Sequence, residues 1–142
     1  DLTKTVMDYF DKVVCTNNSI TPYITQSWLN FTKPGEHHHF HSHPNSYISG
    51  VFYIDAKKEV DKIKFGKWRH EPYDLDVVEY NIFNSRVWSY PVGNDDIILF
   101  PSSIMHGVDY TKGTHTRTSL AFNVFFKGKI GSSEKSTELI IE

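Results

Sequence analysis

From residue 46 onward the chain is a series of short runs rich in Val, Ile, Phe, Tyr and Thr, with turn-forming residues between them and no helical stretch. The runs fall at 46–54 (SYISGVFYI), 63–65, 77–83, 85–90, 97–100 and 116–126. Pro34-Gly35, His43-Pro44, Gly93-Asn94-Asp95 and Lys112-Gly113 act as breakers beside several of them. Short strands punctuated in this way predict a mainly β fold, a sandwich or barrel. The charged segment 56–76 reads as a strand flanked by loops. Residues 131–137 read as a surface loop before a last short strand at 138–141.

Only the N-terminus carries a helical pattern. Val6, Phe10, Val13 and Val14 recur at helix-like spacing over residues 3–14, and Asn17-Asn18 follow as a stop. A packing helix on the outside of a sheet is the expectation. With 142 residues there is room for one core and not two. The chain therefore reads as a single domain over 1–142, with a flanking helix in 1–18 and a β core in 22–142. Hydrophobic residues at 39% and aromatics at 15% argue against disorder.

Charge and cysteine content exclude some classes of function. A net charge of −2 gives no reason to expect general binding to nucleic acid or membrane. No apolar run approaches the length of a membrane span, and no secretory leader is seen. The single cysteine, Cys15, cannot form an internal disulfide, which fits a reducing cytoplasm. The first residue is Asp1 rather than Met, which leaves room for an upstream piece.

Chemistry is concentrated in the histidines. Five of the eight lie in residues 37–43, HHHFHSH. On an extended strand His37, His39, His41 and His43 share one side and His38 lies opposite. Histidines at i and i+2 can offer two imidazole nitrogens to one metal, and a site needs at least one more ligand from elsewhere. Surface histidines with adventitious metal binding are the plainer explanation of such a tract.

A second cluster sharpens the reading. Residues 96–106, DIILFPSSIMH, form an apolar strand leading to His106, and TRTSLAFN follows at 116–123. If Tyr110 and Gly113 close a two-residue turn, His106 lies opposite Arg117, on the same face, with Ser119 beside it. An arginine fork and a hydroxyl next to a metal-ligand histidine suit a bound carboxylate. This geometry depends on the register, since a slip of one residue reverses it.

The ordered set HSHPNSYISGVFYI, FPSSIMHGV and RTSLAFN resembles the bacterial and phage family of 2-oxoglutarate- and Fe(II)-dependent oxygenases, over roughly residues 26–126. The resemblance implies a double-stranded β-helix (jelly roll), one Fe(II), and 2-oxoglutarate as co-substrate. It also implies oxidation of a substrate C–H bond by molecular oxygen, coupled to decarboxylation of 2-oxoglutarate to succinate, with hydroxylation as the default outcome. His41 matches the first metal position, His106 the distal one, and Arg117 with Ser119 the pair that binds the far carboxylate of 2-oxoglutarate. His43 stands where the wider superfamily has Asp or Glu, so the metal set becomes His41, His43 and His106. His39 with His41 is the alternative strand pair. Tyr53 resembles a tyrosine that contacts 2-oxoglutarate, against a plain reading as a core aromatic.

Asn123 shares a face with Arg117 and needs a partner if buried, which substrate or iron-bound water can supply. Trp28 and Asn30 are candidates for the pocket mouth, and Arg86 and Trp88 for structural roles. Ser102 and Ser103 lack the surroundings of a nucleophile. Two rivals share these residues: a cupin-type three-histidine protein that does not use 2-oxoglutarate, and a non-enzymatic β-sandwich binding module. The expected setting is the cytoplasm of a bacterial host or phage-infected cell. The substrate, a small molecule or a protein side chain, is not readable, nor is the oligomeric state. Residues 57–62 and 68–76 are the candidate substrate loops.

Overall fold

A computed structural model describes residues 1–67 and 75–142. Most of the proposed substrate loop at 68–76 lies outside them. The chain opens with α1, Leu2–Tyr9, which runs on through one wider turn at Phe10–Val14. Among the described residues nine strands follow: β1 Ile20–Thr32, β2 His38–His41, β3 Ile48–Asp55, β4 Lys62–Gly66, β5 Val87–Pro91, β6 Ile97–Pro101, β7 His106–Val108, β8 Arg117–Ile130 and β9 Leu139–Ile141. One sheet has the order β1-β8-β3-β6 with β9 added at the far end of β8, and the second has the order β2-β7-β4-β5. All the pairings are antiparallel. The chain repeatedly crosses from one sheet to the other, which makes a jelly roll. Among the described residues no helix is long and apolar enough to cross a membrane.

The larger sheet is covered on both faces, and β8 shows why. Its residues Phe122, Val124 and Phe126 pack with Ile48 against Val6 and Phe10 of the N-terminal helix. Burying each such side chain contributes roughly 1.5–3 kcal/mol. Residues of opposite parity, Arg117, Ser119, Ala121 and Asn123, are buried towards the second sheet. A second core group between the sheets holds Tyr53, Ala56, Ile63, Val92 and Phe100. The polar face of β8 therefore looks into the sandwich while its apolar face supports the helix.

Close approach at Gly50 keeps this arrangement together. Gly50 pairs with Phe122 on one side and Leu99 on the other, and an added Cβ would fall within the Phe122 ring. Phe122 has no exposed surface into which it can retreat. Gly50→Ala is expected to destabilise the fold by about 1–3 kcal/mol, the usual cost of overpacking. Urea denaturation measures this, and an unchanged midpoint would show that the Phe122 ring moves freely.

Several expectations need correction. Residues 77–83 form no strand, and turns occupy the segment. The 13-residue β1 gave no clean alternation because a bulge lies between Ile24 and Gln26. Ile20 and Ile24 face the helix, whereas Trp28, Asn30 and Thr32, of the same parity, face the sandwich interior. The proposed hairpin of His106 with Arg117 does not exist either: β7 pairs with β2 and β4, and Arg117 pairs with Thr32 of β1.

Candidate functional site

His41 ends β2, and His43 stands just beyond it. Pro44 holds the residue before it extended, and Asn45 takes a left-handed turn at φ 56°, a conformation asparagine tolerates. The main-chain N–H of His43 donates to Ser102 O at 3.0 Å, which fixes this corner against the end of β6. His106 comes from the facing side of the turn after Pro101, where Ile104 N donates to Pro101 O at 3.0 Å. His41 and His106 are register partners across β2 and β7.

The three imidazoles converge, with ligand nitrogens within 4.8 Å of one another. Their hydrogen bonds determine which nitrogen carries the proton. His41 Nδ1 lies 2.8 Å from His39 O and His106 Nδ1 lies 3.0 Å from Ile104 O. A carbonyl oxygen only accepts, so both rings carry hydrogen on Nδ1. His43 Nδ1 lies 2.7 Å from Asn123 Oδ1 and takes the same form. Each neutral ring then turns the lone pair of Nε2 inward. His41 Nε2 and His43 Nε2 face each other at 3.1 Å. Two lone pairs so placed repel unless a cation lies between them, and about 3 Å is the spacing of two nitrogens at right angles around an ion with bonds of ~2.1 Å. The donor set fits a metal.

Burial favours the unprotonated rings. His106 is 6% exposed and sits between Phe100 and Phe65, with ring centroids at 4.6 and 6.4 Å. Loss of solvent pushes its pKa down to about 4; the hydrogen bond to Ile104 opposes this, and the neighbouring histidines add to it. The His43 pKa is also lowered, chiefly by burial, against the hydrogen bond that the ring donates to Asn123 and with a smaller push from His41.

Beside the histidines a narrow cavity with about 50 Å³ of free space is lined by Arg117, Ser119, Tyr53, Trp28, Asn30 and His38, among others. Arg117 is 4% exposed, and its one hydrogen bond runs from Nη2 to Thr32 Oγ1 at 3.2 Å. Its Nε and Nη1 are buried without a partner. A buried cationic fork with two idle donors is costly in a protein interior, and it fits a ligand that brings a carboxylate. Tyr53 pairs with Ser119 across β3 and β8, so both hydroxyl side chains enter the same space. Burial raises the Tyr53 pKa well beyond the usual phenol range, although the Arg117 charge pulls the other way, so it remains a neutral donor.

The sequence-derived residues are thus distributed as follows. His41, His43, His106, Arg117, Ser119, Tyr53, Trp28 and Asn30 come together at one place. Asn123 is not among the residues lining the cavity; its Oδ1 accepts from His43 Nδ1 at 2.7 Å and from Ser49 Oγ at 3.2 Å. His38, expected on the opposite side, does line it. A register irregularity between His38 and His41 breaks the alternation of β2. His39 supplies a main-chain acceptor to His41 and is not one of the converging ligands. Sequence reasoning missed Ser49, whose inward parity with Tyr53 was the available signal, and the buried pair of Asp61 with His115 at 3.0 Å.

No curated protein matches the sequence. The fold is similar to an oxidoreductase of the 2OG-Fe(II) oxygenase family from Burkholderia pseudomallei, at 12% identity and a TM-score of 0.56, covering 85% of this chain and 56% of that one. The capsular polysaccharide assembling protein CapF from Staphylococcus aureus superposes at 15% identity and a TM-score of 0.46, covering 88% of this chain and 32% of that one. This chain therefore spans only about half the length of the first and a third of the second. Such low identities bear on the fold alone, and the oxygenase-family structure, at a TM-score of 0.56, shares the mainly β architecture described above. A family model described as "Putative 2OG-Fe(II) oxygenase" matches residues 26–123, a span that holds every residue of the three-histidine cluster together with Arg117 and Ser119. The match covers well over half of the chain, and this protein belongs to that 2OG-Fe(II) oxygenase family.

Proposed function

We propose that the protein is an Fe(II)- and 2-oxoglutarate-dependent dioxygenase that hydroxylates a C–H bond of its substrate. The observation that carries this reading is the buried guanidinium of Arg117, with Nε and Nη1 unpartnered, in the same cavity as three inward-facing imidazole lone pairs. His41, His43 and His106 would hold the metal. Arg117 and Ser119 would bind the far carboxylate of 2-oxoglutarate, with Tyr53 as a further donor. When bound, the iron and co-substrate supply the oxidising power, coupled to conversion of 2-oxoglutarate to succinate.

The chain's own part is binding, orientation and exclusion of water. Arg117 offers two parallel N–H groups to a carboxylate, a geometry that fixes direction as well as affinity. The Ile63, Val51 and Ala121 side chains of the cavity wall present no competing polar atoms. The three rings are pre-oriented by the hydrogen bonds at their Nδ1 atoms, so little ordering is left to accomplish on metal binding. With three neutral ligands the site carries one more positive charge than a set with a carboxylate, which favours an anionic co-substrate.

Anaerobic titration of metal-free protein with Fe(II), then 2-oxoglutarate, tests the reading in the visible spectrum. A charge-transfer band is expected only when both are present, and it should be missing in His106→Ala. Tight iron binding with no band, and no 2-oxoglutarate affinity by calorimetry, would overturn the proposal and favour a cupin-type site.

A further inference from the structure

Behind His43 four polar side chains from separate parts of the fold form a continuous hydrogen-bonded series. Ser46 Oγ lies 3.0 Å from Ile48 O and 3.3 Å from Val124 O. Ser102 Oγ lies 2.7 Å from Ser46 Oγ, and Ser49 Oγ lies 2.8 Å from Ser102 Oγ. Ser49 Oγ is also 2.7 Å from His43 Nδ1. Ser49 and Ser102 have no exposed surface, so the series has no solvent to complete it at these positions.

The direction of the series follows from its first member. Carbonyl oxygens have no proton to give, so the Ser46 hydroxyl donates into the main chain. Its Oγ is left with lone pairs, and the proton between Ser102 and Ser46 therefore belongs to Ser102. Ser102 in turn has only lone pairs for Ser49, and Asn123 Oδ1 also accepts from Ser49 at 3.2 Å, so the single Ser49 proton is directed to these two acceptors. No hydroxyl proton remains for His43, and Nδ1 of the ring must supply one. Asn123 Oδ1, at 2.7 Å from the same nitrogen, makes the same demand from a different strand.

We propose that the hydroxyls of Ser46, Ser102 and Ser49, acting with the Asn123 amide, are positioning groups that hold the His43 proton on Nδ1 and so keep Nε2 free as a metal ligand. The purpose rests on the metal reading above, whereas the tautomer itself does not. A carboxylate at this position offers lone pairs on both oxygens and needs no such control. A histidine offers either a lone pair or an N–H, and the bond at its outer nitrogen decides which. Replacing an anionic ligand by histidine creates the need that this buried series meets.

The two acceptors back each other up, and that determines the variants. In Asn123→Ala the Ser49 oxygen still accepts from Nδ1. In Ser102→Ala the Ser49 proton loses one acceptor but keeps Asn123 Oδ1, which also still accepts from Nδ1. In the double variant the Ser49 proton is free to turn onto Nδ1. Long-range ¹H–¹⁵N spectra of metal-free protein with ¹⁵N-histidine, above neutral pH, read the tautomer directly, with His43→Gln to assign the signal. Wild type and both single variants should show His43 as the Nδ1–H form, and the double variant should show the Nε2–H form. Co(II) affinity by calorimetry should fall roughly 10- to 100-fold in the double variant, the usual cost of losing support behind a ligand, and stay near wild type in the singles.

An Nε2–H form in the wild type overturns the proposal and needs no variant to fold. A folded double variant that keeps the Nδ1–H form and the wild-type Co(II) affinity overturns it as well. The oxygenase reading is separately exposed. Wild type with the Nδ1–H form and Co(II) binding, but with no band from Fe(II) and 2-oxoglutarate, would sink that reading and leave the positioning role intact. The band together with an Nε2–H His43 would do the reverse.

Discussion

Arg117→Met is expected to weaken 2-oxoglutarate binding severely while raising the melting temperature of the ligand-free protein. In the free protein the guanidinium is buried, with Nε and Nη1 unpartnered and only Nη2 bonded to Thr32. Each unsatisfied buried polar group costs about 1–3 kcal/mol, and methionine fills similar space without that cost. A gain of this size corresponds to several degrees in Tm for a chain of this length. The same change removes the fork that the co-substrate carboxylate needs, so affinity should fall by on the order of 100-fold or more. Fe(II) binding should survive, because Arg117 is not one of the three converging ligands. Thermal unfolding with and without 2-oxoglutarate measures both halves. A wild-type Tm raised by the ligand beside a higher, ligand-insensitive Tm in the variant is the expected pattern. A variant less stable than wild type would show that Arg117 is structural, and retained binding would remove it from the co-substrate site.

Removal of His106 should have the second large effect, on the metal and on pH dependence together. Loss of a ligand nitrogen should weaken Co(II) or Fe(II) binding beyond the roughly 100-fold that loss of a supporting group costs. Burial also lowers the pKa of His106 to about 4 from an ordinary 6.5, with Phe100 and Phe65 packed around the ring. Between those two pH values the unfolded chain binds a proton at this residue and the folded chain does not. Its contribution to stability is therefore intact above pH 6.5, declines as pH falls, and is gone once pH drops below about 4. In His106→Ala the ligand-free protein should lose less stability over that window than wild type does. Urea unfolding at a series of pH values tests this. Parallel curves for the two proteins would mean that His106 is not the group responsible.

The elements with a simple pattern were legible. Residues 46–54, 97–100 and 116–126 lie within or overlap β3, β6 and β8, which are flanked by clear breakers and are rich in β-branched and aromatic residues. The helix was equally clear from Val6 and Phe10, the two residues that it buries. Strand β1 was not, because its bulge exchanges the faces of equal-parity residues halfway along and no single period describes it. His38 was assigned to the wrong face for a similar reason, an irregularity in β2. Residues 77–83 have the composition of a strand, yet Val78, Tyr80 and Phe83 are exposed and pair with no strand among the described residues.

The site shows how a right neighbourhood can follow from a wrong pairing. His106 and Arg117 were brought together as opposed residues of one hairpin, but they meet from different sheets across the interior of the sandwich. What the sequence determined by itself was chemical identity and parity: a metal-capable histidine pair, a distal histidine after an apolar strand, and an arginine with Ser119 and Asn123 on one face of a strand. These are local properties, set by spacing along an extended chain. Which face turns inward, what lies across from it and where each proton sits were decided only by the tertiary structure. Burial strips the solvent from Arg117, His106 and Asn123, and each then depends on partners that are far away in sequence: Thr32 for the arginine, Phe65 around the distal histidine, and His43 with Ser49 for the amide. Sheet pairing and the exclusion of water create those partnerships, and neither is encoded within any one segment.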